Sequence, residues 1–96
     1  MQAYNPLMRA AAIGNVKIVE DLLAKGMDVN LRGPRGSTAL MFAASSGNLD
    51  VVKVLVANGA DLSATEDGGW DARRHAEEDR YEELLQYFDN LDFKKV

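Results

Sequence analysis

The chain has 96 residues, no cysteine, one histidine and a formal net charge of −4. Its length suits a single domain, and a hydrophobic share of 47% is ordinary for a globular protein. The absence of cysteine excludes disulfides, thiol catalysis and cysteine-ligated zinc. The acidic balance argues against non-specific binding to nucleic acid. No leader pattern follows Met1 and no apolar run is long enough to span a bilayer, so we expect a cytoplasmic protein with no membrane partner.

The chain repeats itself with a period of 33 residues. Segment 5–30 aligns with segment 38–63 without a gap, and eleven of the 26 positions are identical. Such self-similarity is typical of repeat proteins, in which each unit packs on the next. The identical pair Leu22 and Leu55 falls on the apolar stripe of a predicted helix, which places both side chains in the core.

Each unit begins with a short predicted helix. Asn5 and Thr38 are suitable N-caps, and Pro6 fits the first helical position because its missing N–H is not needed there. Gly14 and Gly47 come near the end of the apolar pattern, and glycine readily takes the left-handed conformation that ends a helix.

A second predicted helix completes each unit, over residues 16–23 and 49–56. Asn15 and Asn48 stand at its N-cap position, and a glycine follows its last turn in both units. The connector over residues 31–37 carries a Gly-Pro pair and a second glycine, which favour a tight turn.

A third unit follows in the same phase, with predicted helices from Asp71 to Glu78 and from about Glu82 to Asn90. This unit carries polar residues where the other units have Leu, Ala and Gly. They are Arg73, Glu77 and Arg80, in that order. A polar outer unit is what the end of a repeat stack needs. Residues 49–96 carry twelve Asp/Glu against six Lys/Arg, and we interpret much of this acidity as a solvated cap.

These features together resemble the ankyrin repeat. The matching pattern runs Thr38-Ala39-Leu40-Met41-x-Ala43-Ala44-x-x-Gly47-Asn48 and ends in Gly59-Ala60-Asp61, with a parallel copy from Pro6 to Asn30. The resemblance implies an all-α solenoid of stacked helix hairpins with short β-turn connectors. It implies one domain over 1–96, with units at about 4–36, 37–69 and 70–96. Met8 and Met41 replace the family's histidine, so stacking should depend more on apolar packing.

The inventory of reactive residues predicts no enzyme, no cofactor and no metal site. His75 is the single histidine, and no Gly-x-Ser-x-Gly elbow presents a serine to it. The carboxylates of segment 77–83 lie on the predicted cap, where no pocket is expected. One histidine without cysteine cannot build a zinc site, and the glycine pairs lack the Lys-Ser/Thr of a phosphate loop.

The resemblance also implies a concave groove, formed by the turn tips and the first helices, that binds a partner protein. The residues that map onto this groove are Tyr4, Arg9, Ile13, Arg35, Ser37, Phe42, Ser45, Ser46, Asp67, Trp70, Arg74, His75, Glu78 and Asp79. Aromatic and arginine side chains dominate protein–protein hot spots. Two alternatives stay open: Trp70 packs on the preceding turn, and Phe42 belongs to the core.

We therefore expect a non-enzymatic module that binds another protein through a groove that is basic at its first segment and acidic at its last. The alternative is a self-associating stack, a homodimer formed through the N-terminal repeat face, or a piece of a longer array with a scaffold role. Val16 and Ile18 motivate this alternative, because a first repeat normally presents a polar outer face.

Overall fold

Six helices account for most of the residues that the computed structural model describes, which are 3–94 for the backbone and 3–91 for the side chains. They are α1 (Pro6–Ile13), α2 (Val16–Ala24), α3 (Ala39–Ser45), α4 (Leu49–Ala57), α5 (Ala72–Glu78) and α6 (Glu82–Lys94). A 3-10 turn, Pro34–Gly36, lies between α2 and α3, and the described chain contains no strand. The prediction of an all-α stack of helix hairpins is confirmed.

The first helix of each pair begins at the predicted N-cap. The side chains of Asn5, Thr38 and Asp71 each accept a hydrogen bond from the backbone N–H three residues on, at 2.9, 3.4 and 2.8 Å. These bonds satisfy N–H groups that have no partner inside the helix. The helix starts are therefore determined locally, and the three predicted caps are confirmed.

The turn inside each pair uses the left-handed backbone conformation. Gly14 and Gly47 have φ values of 86° and 71°, and Arg80 takes the equivalent position with φ 57°. Both glycines also lie against the next unit. A Cβ on Gly14 would be 2.9 Å from Asn48 Oδ1, and one on Gly47 would be 2.7 Å from the Tyr81 ring. Glycine is thus needed there for both conformation and space.

The side chain of Asn48 does not cap its own helix, so that prediction is wrong. Its Nδ2 donates instead to the carbonyl oxygens of Ala11 and Ala12, at 2.9 and 3.4 Å. The last carbonyls of α1 lack partners within the helix, and Asn48 satisfies two of them from the neighbouring unit. Asn15 does cap α2, accepting from the Ile18 N–H at 3.1 Å.

The helices stack in two rows. In the first row α1 packs on α3 and α3 on α5, and behind it α2 packs on α4. Each helix of the first row also packs on the second helix of its own pair. Met8 and Met41 are 1% and 2% exposed in the core between the units. Met8 lies so close to Gly33 that a Cβ there would overlap it, so apolar packing does replace the family's histidine contact.

Leu22 is only partly buried, although the sequence pattern placed it in the core together with Leu55. Leu55 is 0% exposed because its unit packs between two others. Leu22 packs against the core from the edge of the first unit. The repeat pattern alone could not distinguish the two positions, because burial depends on neighbouring units and not on the helix itself.

Side chains also join successive turns. Arg32 Nη1 donates to the carbonyl oxygens of Gly36 and Thr65, at 2.7 and 2.9 Å. Asn30 Nδ2 donates to Gly59 O at 3.1 Å, and its Oδ1 accepts from the Asp61 N–H at 2.8 Å. These bonds link the first turn to the second, and they hold the tips that border the site described below.

The third pair carries its polar residues outward, as predicted for a cap. Arg73 pairs with Glu77 at 3.0 Å and with Asp89 at 2.8 Å, all three being well exposed. Leu84 and Phe88 are buried beneath them. Helix α6 extends to Lys94, beyond the predicted end near Asn90. Among the described helices, none combines the length and apolar character required to cross a membrane.

Candidate functional site

A cleft opens between the turn tips and the first-row helices. Its larger part has a volume of about 430 Å³ and is lined by Tyr4, Pro34, Arg35, Ser37, Phe42 and Glu66. A smaller cavity of about 80 Å³ continues from it and adds Met41, Ser45 and His75. Ser37, Phe42 and Glu66 border both parts. We refer to the nine residues as the cleft.

An aromatic pair lies along one wall of the cleft. The rings of Tyr4 and Phe42 meet edge to face, with centroids 5.5 Å apart and planes at 70°. Tyr4 is 54% exposed, and Phe42 is half-buried against the core. An exposed ring beside a half-buried one offers apolar area at low conformational cost to a partner.

Arg35 stands at the rim of the cleft in a strained backbone conformation. Its φ is 58°, at the position where the next turn carries Gly68 with φ 95°. The left-handed region is costly for a residue with a Cβ, and such strain is found more often at functional sites than elsewhere. Its side chain is exposed and forms no ion pair with any described residue.

Glu66 and His75 form the polar floor of the cleft. His75 Nε2 donates to Glu66 Oε1 across 2.6 Å, and each side chain is 19% exposed. The carboxylate holds the ring and fixes which nitrogen carries the proton. Ser45 borders the same cavity, but its hydroxyl forms no hydrogen bond to His75 within the described structure. The geometry therefore does not assemble a serine nucleophile with its base.

A second aromatic group extends the cleft toward α5. The ring of Trp70 meets that of His75 edge to face at 5.2 Å, and the Arg74 guanidinium lies 4.8 Å from the Trp70 ring centre. Trp70 is half-buried and its carbonyl accepts from the Glu66 N–H at 3.0 Å. Trp70 therefore packs on its own turn and on α5, and part of its side chain remains exposed.

The remaining residues that were mapped to the groove are placed in three ways. Ser37 is only 4% exposed, and its hydroxyl donates to Pro34 O at 2.7 Å, which stabilises the tip. Asp67 is exposed on the second tip, where its N–H donates to Arg35 O at 2.8 Å. The exposed residues outside the cleft lining are Arg9, Ile13, Ser46, Glu78 and Asp79, on or just after the first-row helices.

Glu66 is a charged cleft residue that the sequence reasoning missed. It stands 33 residues after Gly33, at a position where the first turn has no side chain, so the repeat comparison gave it no counterpart. The available signal was its neighbour Asp67, which was mapped to the groove. Glu66 precedes Asp67 on the turn before α5, and α5 carries His75. This proximity in the chain made Glu66 a candidate partner for the His75 ring.

Other features of the surface lie away from the cleft. Two openings of about 390 and 320 Å³ lie where the hairpin turns meet, and both include Gly47, Leu49 and Glu83. Within the described residues, no group of three His, Asp or Glu side chains could hold a metal ion.

Three side chains outside the cleft have shifted pKa values. The hydrogen bond to Asp89 raises the pKa of the Arg73 guanidinium, and burial raises the pKa of the Tyr87 phenol. The Ser63 hydroxyl lowers the pKa of the Asp61 carboxyl. These groups lie on the last pair of helices and on the turn after α4, so the shifts follow from local packing and hydrogen bonding.

The comparison with protein families agrees with this architecture. A family model described as ankyrin repeats, in three copies, matches residues 2–90. No curated protein sequence matches the chain.

Proposed function

The chain belongs to the ankyrin-repeat family, whose members generally mediate protein–protein interactions, and on this premise we propose that it binds a partner protein at the cleft. The single observation that carries this proposal is the exposed Tyr4 ring beside Phe42, in a cleft whose Arg35 side chain forms no ion pair with a described residue. Aromatic rings and arginines are the groups that contribute most to protein interfaces once a partner has excluded water from them.

The proposed role is non-enzymatic and cytoplasmic. The cleft presents binding groups, and its one histidine is engaged by Glu66 rather than by a nucleophile. The family is typically non-enzymatic as well, which supports the same conclusion. A cytoplasmic location remains part of the proposal, on the composition of the chain.

A capture experiment tests the proposed function. The wild-type chain and the variants Phe42→Ala, Arg35→Ala and Trp70→Ala are immobilised, and the proteins they retain from extracts of the source organism are compared. Lys17→Ala, on the exposed side of α2, is the matched control. We expect each cleft variant to lose a partner that wild type and the control retain, with circular dichroism confirming equal folding. If every variant retains the same proteins, the cleft is not the binding site.

A second candidate function is self-association through the first unit. Ile18 is 46% exposed, whereas Val51 at the same position of the second unit is 0% exposed. Ile13 nearby on α1 is 79% exposed. A second copy that covered this face would bury Ile18 as packing of α4 on α2 of the first unit buries Val51. Light scattering over a concentration series tests this: a mass that stays monomeric up to high concentration would exclude it, and Ile18→Glu should abolish any dimer.

A further inference from the structure

We infer that the partner segment of the cleft is acidic and carries one large apolar side chain, an inference that rests on the proposed function. The cleft pairs an aromatic wall with a free cation at its rim, while its own carboxylate is already engaged. Each of these three features selects one property of the partner.

The aromatic wall selects an apolar side chain. The larger part of the cleft, about 430 Å³, lies within the range of clefts that hold small ligands and anchor side chains. Tyr4 and Phe42 both line it, and so does the buried Ser37. A polar side chain placed there would lose water without gaining a hydrogen bond from the rings.

The rim selects a carboxylate beside that side chain. Arg35 borders the cleft, and Arg9 is exposed on α1 at the repeat position that Phe42 occupies on α3. Neither forms an ion pair with a described residue. By contrast, Arg32 donates hydrogen bonds to backbone carbonyls, and Arg73 pairs with two carboxylates. A guanidinium fork matches a carboxylate in geometry and charge.

Two carboxylates stand close to Arg35: Glu66 lines the cleft, and Asp67 is exposed on the second tip outside the lining. Glu66 Oε1 accepts a hydrogen bond from His75 Nε2, so this oxygen already has a partner inside the cleft. Glu78 and Asp79 lie at the far end of α5 and line neither part of the cleft. The described cleft lining therefore carries one arginine without an ion pair, Arg35, and one carboxylate that is already hydrogen-bonded to His75. A basic segment would meet Arg9 and Arg35 there and be repelled.

Synthetic peptides test this inference directly. The probe is a short, blocked and fluorescently labelled peptide with one phenylalanine between two glutamates on each side. Three matched peptides replace the glutamates by glutamine, the glutamates by lysine, or the phenylalanine by glycine. Anisotropy titrations at low salt should give the tightest binding for the acidic phenylalanine peptide. The glutamine and glycine peptides should each bind about tenfold more weakly, the size expected for one charge-assisted or one buried apolar contact.

Variants connect the preference to the cleft. Arg35→Gln should weaken the acidic peptide about fivefold to tenfold and leave the glutamine peptide unchanged, whereas Lys17→Gln removes the same charge from α2 and should have little effect. Tyr4→Ala should weaken every phenylalanine peptide, and it keeps the fold because Tyr4 precedes α1 and is exposed.

The outcomes separate this inference from the proposed function. If the lysine or glutamine peptide binds as tightly as the acidic one, or if none binds, the inferred chemistry is wrong while capture at the cleft can still hold. If Arg35→Gln and Lys17→Gln weaken the acidic peptide equally, the attraction comes from overall charge and the inference fails. If peptides bind but neither Tyr4→Ala nor Phe42→Ala changes their affinity, binding occurs elsewhere and both proposals fail.

Discussion

Two arginines, Arg35 and Arg80, adopt the left-handed backbone conformation at positions where neighbouring units carry glycine. Arg80 is equivalent to Gly14 and Gly47, in the turn inside the third pair, and its side chain is exposed. Arg35 lies at the rim of the cleft, where its position is part of the proposed binding surface. The same strain is therefore structural in the cap and proposed to be functional at the tip.

Replacing Arg80 by glycine should stabilise the protein. Glycine adopts a φ near 57° without the steric cost that a Cβ brings, about 1 kcal/mol or more. We expect Arg80→Gly to raise the free energy of unfolding by about 1 kcal/mol in urea melts, after the entropy of the freer unfolded chain is subtracted. Arg80→Ala removes the same charge but keeps the Cβ, and it should gain nothing. Equal stabilities for the two variants would mean that strain at Arg80 is not the cause.

Asn30 is a structural residue that joins the first two turns. Its side chain makes two hydrogen bonds to the backbone of the second unit, at Gly59 and Asp61. Asn30→Ala should therefore lower the free energy of unfolding by about 1–2 kcal/mol. The matched control is Ser63→Ala, one repeat later, because Ser63 bonds only to Asp61 within its own turn. A loss for Asn30→Ala no larger than for Ser63→Ala would show that the link between units contributes little.

At the scale of helices, burial depends on how many units flank a helix. Leu22 and Leu55 occupy the same place on the second helix of their units, yet only Leu55 is fully buried. In a repeat stack the free energy of unfolding is a sum of terms within units and between neighbours. A side chain between two neighbours therefore contributes more than the same side chain at an edge.

Truncation of these two leucines should have unequal effects. Leu55→Ala should lower the free energy of unfolding by about 2–5 kcal/mol, because it leaves a cavity in a closed core. Leu22→Ala should cost less than about 2 kcal/mol, because solvent already reaches the side chain. Urea melts of both variants measure this difference. Equal losses, or a larger one for Leu22→Ala, would contradict the packing of the second unit between two others.

The helices could be predicted from the sequence to within a few residues because their boundaries are set locally. Asn5, Thr38 and Asp71 cap helices through bonds to residues only three positions away. The predictions for Asn48 and Leu22 were wrong because the outcome depends on contacts 37 residues away or on the number of flanking units. A capping bond between residues three positions apart can be predicted from the sequence. A bond from the same side chain to a neighbouring unit, as Asn48 forms to Ala11, cannot be predicted in this way.

At the scale of the whole molecule, the net charge and the charge of the cleft differ. The chain is acidic at −4, and its second half carries most of the Asp and Glu. At the cleft, Arg35 forms no ion pair with a described residue. The carboxylate in the same lining, Glu66, is bound to His75 instead. Six of the fourteen residues that the repeat mapped to the groove line the cleft, because the 33-residue period fixes which positions share a face. Glu66 and its pairing could not be mapped in this way, because they depend on a turn that differs between units.

The most direct test of binding at the cleft is a map of backbone amide chemical shifts, recorded on the isotope-labelled chain as the captured partner is added. We expect the largest changes at residues 35–37 and 66–70 and along the first half of α3, which together surround the cleft. Amides of α2 and the exposed side of α4 should change little. Changes confined to α2, α4 or the acidic cap, with the cleft unperturbed, would contradict the proposed binding site.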